Sequence, residues 1–194
     1  MATKLVWKAM TLTYKICKKQ IFLLTFIIFL YKIFICVGDF MKMESIVHEC
    51  LSKHKGGDIF FDNLDEKLRN DESLMWIMIN KVLENINFDY IIVSGKFGYA
   101  FQNFCQKNNF YQNFISVNGS LRKNDIINKL NIDIYNKKII FVDDSFYLGR
   151  TRDKIKNFIE SYGANLISTY VFYDGSKIKD INVNSFYRYY DNYK

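Results

Sequence analysis

The stretch IIFVDDSFYLGRTRDKI, residues 139–155, sets the reading of the whole chain. Its first four residues are apolar and three of them β-branched, which suits a strand buried on both faces of a parallel sheet. Two carboxylates, Asp143 and Asp144, follow at once. A short segment containing Gly149 comes next. Beyond it Ile155, Phe158, Ile159 and Tyr162 recur at i, i+3, i+4 and i+7, which predicts a helix over 151–162. In an open α/β sheet the C-terminal end of a strand faces the ligand crevice. The turn there aims backbone N–H groups inward as an anion nest, and the helix adds the positive end of its dipole. A phosphate would sit in that turn, with the hydroxyls of Ser145 and Thr151 as further donors, and Gly149 permits the close backbone approach. Two adjacent carboxylates would repel phosphate, so they must face another part of the ligand. A ribose diol can donate to them, and Mg²⁺ can sit near them through its waters. Phosphate turn and acid pair together point to a sugar phosphate. The same residues also suit an ordinary strand–helix joint in which one Asp caps the helix.

Outward from this unit the pattern repeats. Asp89 to Ser94 is a short β-branched run, interrupted by Gly95-Lys-Phe-Gly98, and 99–108 has helical character. Phe114 to Val117 and Leu166 to Tyr173 are two more strands, and Lys138 to Asp143 is the strand of the opening stretch. Residues 44–55 predict a short helix stopped by Gly56-Gly57, and 72–86 a strongly apolar one. The run Phe186 to Tyr190 is an edge strand or packing segment. Asn118 to Asp125 is a polar loop. Alternating strands and helices give an α/β fold, a Rossmann-like parallel sheet flanked by helices. With 194 residues and 49% apolar content there is room for one such domain over 43–194 with a full core.

The first forty residues differ. Residues 1–20 form a basic segment with Lys4, Lys8, Lys15, Lys18 and Lys19. Residues 21–38 are apolar apart from Lys32, at the short end for a bilayer-spanning helix. They predict an N-terminal hydrophobic helix, either a membrane anchor or signal-like segment, or a stretch ahead of a true start at Met41 or Met43. Lysines ahead of the run would hold the N-terminus in the cytoplasm and send the domain outside, against the compartment that phosphosugar chemistry prefers. Those lysines set aside, the rest is mildly basic, which suits an anionic substrate. No dense basic stripe or helix-turn-helix is legible, which excludes nucleic acid as the expected partner. Cys17, Cys36, Cys50 and Cys105 form no C-x-x-C pair, and His48 and His54 have no companion ligands, so neither a zinc site nor a disulfide scaffold is indicated.

Phe141-Val-Asp143-Asp144-Ser-Phe-Tyr-Leu-Gly149-Arg-Thr151 resembles the 5-phosphoribosyl-1-pyrophosphate (PRPP) motif of the type I phosphoribosyltransferases: a hydrophobic strand, two acids, a variable loop, then glycine and threonine. The resemblance implies that Asp143 and Asp144 hold the ribose hydroxyls and help place Mg²⁺ through water. It implies a 5-phosphate cradle of Ser145, Phe146, Tyr147, Leu148, Gly149, Arg150 and Thr151. Ser94, Gly95 and Lys96 fall where the family binds pyrophosphate, and Arg122 and Lys123 where its mobile catalytic loop closes. The implied reaction joins PRPP to a nucleobase-like acceptor, for instance a pyrimidine such as orotate, with release of pyrophosphate. Dimers are usual in the families it resembles, so a homodimer is expected, and a PRPP-binding regulator without turnover, or a membrane-tethered interaction protein with a decayed site, would keep the same fold. The chain departs from the pattern at Arg150, where many members carry a small residue, and at Tyr147, where hypoxanthine–guanine enzymes carry an acid.

Overall fold

The β-branched runs pair into one sheet in the computed structural model of the chain, which describes residue 38 and residues 41–51, 58–84, 87–117 and 133–192. The chain divides into two compact units, 1–41 and 42–194, and the sheet belongs to the second. The strands are β1 (Tyr90–Ser94), β2 (Phe114–Val117), β3 (Lys138–Phe146), β4 (Asn165–Asp174) and β5 (Val183–Arg188). They lie in the order β2-β1-β3-β4-β5, and every pair is parallel. The helices are α1 (residues 41–51), α2 (Asp58–Asn70), α3 (Glu72–Leu83), α4 (Gly95–Lys107), α5 (Arg150–Glu160) and the single turn α6 (Tyr189–Asn192).

Side-chain alternation along the strands builds two cores. Ile91 and Val93 of β1 and Ile140 and Val142 of β3 join the core formed by α1 to α4. Ile92, Ile139 and Phe141 join Ile155 and Ile159 of α5 in the other. Both faces of the central strands are therefore covered, which is why they read as unbroken apolar runs. Chain order and strand order together locate the crevice. From β1 the chain moves outward to β2, then returns to β3 on the other side of β1 and moves on to β4. The winding reverses between β1 and β3, and the C-terminal ends of these two strands flank the switch point where open α/β sheets bind ligands.

The structure corrects the sequence reading in four places. Residues 58–70, to which no element was assigned, form α2; Phe60, Leu64 and Leu68 on one side of it are fully buried, each contributing roughly 1.5–3 kcal/mol. Gly95 to Gly98 is not a loop: Ser94 ends β1 and the first turn of α4 starts at Gly95. β3 continues through Ser145 and Phe146, which pair with Tyr173 and Asp174, so the turn before α5 is only Tyr147, Leu148 and Gly149. The apolar helix expected over 72–86 ends at Leu83. Of the run Phe186 to Tyr190, residues 186–188 close the edge strand β5, which starts at Val183, and Tyr189 and Tyr190 open α6. β5 is reached by eight residues, 175–182, with no helix. That crossover is held by Asp174, buried at the end of β4, which accepts from Ser176 N at 2.8 Å and from Arg188 Nε at 3.1 Å. Residues 21–37 of the hydrophobic segment, Gly56-Gly57 and the polar loop 118–125 lie outside the described residues. Among the described residues no helix is long and apolar enough to cross a membrane.

Candidate active site

Asp143 and Asp144 sit at the C-terminal end of β3, on the floor of a cavity of about 400 Å³. Its walls are Phe61 of α2, Phe141 of β3 and residues 145–152, the turn and the first residues of α5. The Asp144 backbone N–H donates to Asp143 Oδ1 at 3.1 Å, and the Ser145 hydroxyl donates to Asp144 Oδ2 at 3.3 Å. Burial above all, then the Asp144 carboxyl, push Asp143 well above the ordinary carboxylate range, and the negative charge of Asp65 adds to the effect. Asp144 is raised as well, by burial first and by Asp65, while its bonds with Asp143 and Ser145 work the other way. The pair thus keeps a proton at pH values where isolated carboxyls have lost theirs. Two crowded, partly desolvated acids are costly unless a ligand offers donors or positive charge.

Above the acids the backbone turns into α5 through Gly149. Its φ is 69°, left-handed, and a Cβ there would stand 3.2 Å from the Phe146 ring. Glycine is favoured by the left-handed conformation, and the tight approach to Phe146 adds to that preference. No side chain caps α5 at its N-terminus. The same holds for α4, whose N-cap residue is Ser94, with exposed Lys96 in the first turn. The helix α3, whose start lines a different cleft, is finished differently: Asp71 accepts from Ser73 N at 3.0 Å. The two helices that start at the crevice therefore keep first-turn N–H groups without a side-chain acceptor, the arrangement that binds anions. Arg152 is committed elsewhere, ion-paired to Asp180 at 2.7 Å and lying over the Phe146 ring at 5.3 Å. Arg150 and Thr151 are exposed at the cavity mouth.

A larger cleft of about 650 Å³ lies among α1, α2 and the start of α3, lined by Cys50, Lys67 and Asp71 among others. Two of its lining charges, Lys67 and Asp71, are already paired. Lys67 pairs with Glu49 at 2.6 Å and Asp71 with Lys42 at 2.7 Å. Burial works against Asp71, yet its bonds from Lys42 and Ser73 hold it below its usual range. Size favours that cleft; the buried acid pair, both members raised, favours the smaller cavity, and perturbed acids mark chemistry better than volume does.

Solved structures that the chain resembles include an orotate phosphoribosyltransferase from Aeropyrum pernix, at 16% identity over 65% of this chain and 77% of that one, with a TM-score of 0.49. They also include a purine phosphoribosyltransferase from Pyrococcus horikoshii, at 16% identity over 59% and 79% of the chains (TM-score 0.45), and an orotate phosphoribosyltransferase from Francisella tularensis, at 14% over 64% and 71% (TM-score 0.46). At these scores the likeness carries no weight in assigning function. No family model matches the chain, and no curated protein does.

Of the residues singled out from the sequence, Asp143, Asp144 and 145–151 line one cavity. Ser94, Gly95 and Lys96 stand at the end of the neighbouring strand β1 and the start of α4. Arg122 and Lys123 lie outside the described residues. The sequence reading missed α2, and with it Phe61 and Asp65. The signal was present: Phe60, Phe61, Leu64 and Leu68 follow helical spacing, with Lys67 and Arg69 in the last turn. Four acids at 58, 62, 65 and 66 hid it by making the segment look like a solvated loop.

Proposed function

We propose that the chain binds PRPP at the β1–β3 switch point and transfers its phosphoribosyl group to a nitrogenous base with release of pyrophosphate. The observation that carries this is the joint in one cavity of a raised-pKa acid pair and an uncapped helix N-terminus behind Gly149. The first turn of α5 and the turn 147–149 would take the 5-phosphate, with the Thr151 hydroxyl as an additional donor. Asp143 and Asp144 would accept from the ribose hydroxyls. Among the described residues there is no cluster of three potential metal ligands. Two carboxylates still fit Mg²⁺, which keeps several waters and takes its other ligands from substrate phosphates. Bound there, Mg²⁺ would offset charge on the pyrophosphate.

In the reaction the bond from the anomeric carbon to pyrophosphate breaks as the bond to the acceptor nitrogen forms. Positive charge develops at the ribose and negative charge on the leaving group. The acid pair would meet the first, and the start of α4 with Lys96 the second. Arg122 and Lys123 complete the reading as groups that close over pyrophosphate and exclude water.

Calorimetric titration of the full chain with PRPP and Mg²⁺, beside an Asp143→Ala/Asp144→Ala double variant, tests the reading. Binding by the wild type that falls on the order of a hundredfold in the variant is expected, since two charge-assisted contacts are lost. A folded wild type that does not bind PRPP overturns it. Binding without pyrophosphate release across a panel of bases would make the protein a PRPP-responsive regulator instead.

A further inference from the structure

Tyr147 stands in the middle of the cavity's turn, yet it is half exposed, with 50% of its surface open. Its neighbour Leu148, also in the cavity lining, is 63% exposed. Tyr147 is not loose, however. Its ring lies over Gly175, the first residue after β4: a Cβ at 175 would stand 2.8 Å from Tyr147 Cδ2 and 2.8 Å from Tyr173 Cε1. Gly175 in turn is fixed by its N–H, which donates to Phe146 O at 2.8 Å, beside the buried Asp174 and its partners Ser176 and Arg188. The ring's edge is braced by Phe61 of α2, at 6.1 Å between centroids and 60° between planes. Phe61 itself packs on Phe60 and on Tyr173, which stacks on Tyr187. A continuous row of aromatic rings thus runs from the core to the cavity mouth and ends on an open ring beside the acid pair.

We propose that Tyr147, seated on Gly175 and braced by Phe61, is the platform on which the acceptor's planar heterocycle stacks. This rests on the phosphosugar reading of the same cavity. A ring positioned by packing on two sides and free on its remaining surface can gain stacking contact with little further ordering cost. Tyr147 lines the same cavity as the acid pair assigned to the ribose, so a base attached to that ribose has an aromatic surface within the cavity.

The test compares dissociation constants of ribose 5-phosphate with those of AMP, IMP, UMP and orotidine 5′-monophosphate for the full chain with Mg²⁺. None of these turns over without pyrophosphate, and the ratio of the two constants isolates the ring's contribution. At least one nucleotide should bind about tenfold or more tighter than ribose 5-phosphate, as stacking on one aromatic ring allows. That advantage should fall toward one in Tyr147→Ala, shrink in Phe61→Ala and in Gly175→Ala, which displaces the platform, and persist in Tyr147→Phe. No advantage in the wild type, or an advantage that survives Tyr147→Ala, overturns the proposal. Nucleotides that bind and lose their advantage in Tyr147→Ala, while ribose 5-phosphate binds neither protein, would keep the platform and sink the phosphosugar reading.

Discussion

Helices α3 and α5 begin in opposite ways. α3 is finished by its own sequence: Asp71 accepts from the Ser73 amide and is locked by Lys42. α5 begins behind a glycine whose φ no other residue adopts cheaply, and no side chain closes its first turn. A side-chain cap is worth about 1 kcal/mol. Where the chain needs only a stable helix it takes that stabilisation; beside Asp143 and Asp144 it goes without. Two acids raised by burial and an uncapped helix are both local losses, and they coincide in one cavity. Structural sites relieve such losses with neighbours, whereas a receptor leaves them for its ligand.

The sharpest way to break this comparison is to remove the acid pair's charge while keeping its shape. Asp144→Asn should lower turnover at least about tenfold, because a charge-assisted contact to the ribose is lost. The same change should stabilise the apoprotein at neutral pH. Both folded-state carboxyls titrate above their unfolded values, so the stability they allow is fully present below the unfolded carboxyl pKa and is lost as pH rises through the raised folded values. Asp143→Asn, at the more strongly raised member, should therefore raise the melting temperature at pH 7 to 8, with the gain vanishing near pH 4. Melting curves across that range decide the point. A variant less stable than wild type at pH 8 would make the pair a structural element.

The motif was legible because its parts obey separate local rules that agree: an apolar strand, two acids at its end, a glycine, then a helical period. β2 matched to the residue, and β1, β3 and β4 lay within three residues at either end, because each carries a run of β-branched and aromatic residues. What was not legible depends on partners distant in sequence. Phe61 joins the site only because α2 packs over β3, and Asp65 acts on the acid pair only through that packing. The sequence also marks Ser145 as a phosphate donor, whereas its hydroxyl donates to Asp144. Gly95 reads as a loop residue because glycine usually is one; only the immediate passage of β1 into α4 makes it the opening of a helix.

The turn before α5 gives the next largest effect. Gly149→Ala must place a Cβ at φ 69°, 3.2 Å from the Phe146 ring. Left-handed backbone alone costs roughly 1–2 kcal/mol for a non-glycine residue. Two readouts separate here: the melting temperature should drop by several degrees, and PRPP affinity by more than the loss of fold explains, measured well below the transition. Wild-type affinity in the folded variant would show that the turn does not hold the 5-phosphate.

The smallest effect, and the control that gives the others meaning, is at α3. Asp71→Ala removes the carboxylate that accepts from the Ser73 amide and hydroxyl and pairs with Lys42. The cap should account for about 1 kcal/mol, or roughly 2–4 °C of melting temperature for a chain of this size. The Lys42 pair adds little, since both side chains are more than a third exposed and solvent screens them. Asp71 is held below its usual range, so its contribution is present above the ordinary carboxyl pKa and disappears as pH falls through the lowered value. The sign is thus opposite to that of Asp143→Asn: the α3 variant should lose stability at pH 7 and match wild type in acid, while the acid-pair variant gains at pH 7. PRPP affinity should stay within about twofold, because the start of α3 lines a different cleft. A fall in affinity comparable to that of Gly149→Ala would mean that the closed and the open helix starts are energetically linked, and the division between structural and receptor termini would have to be given up.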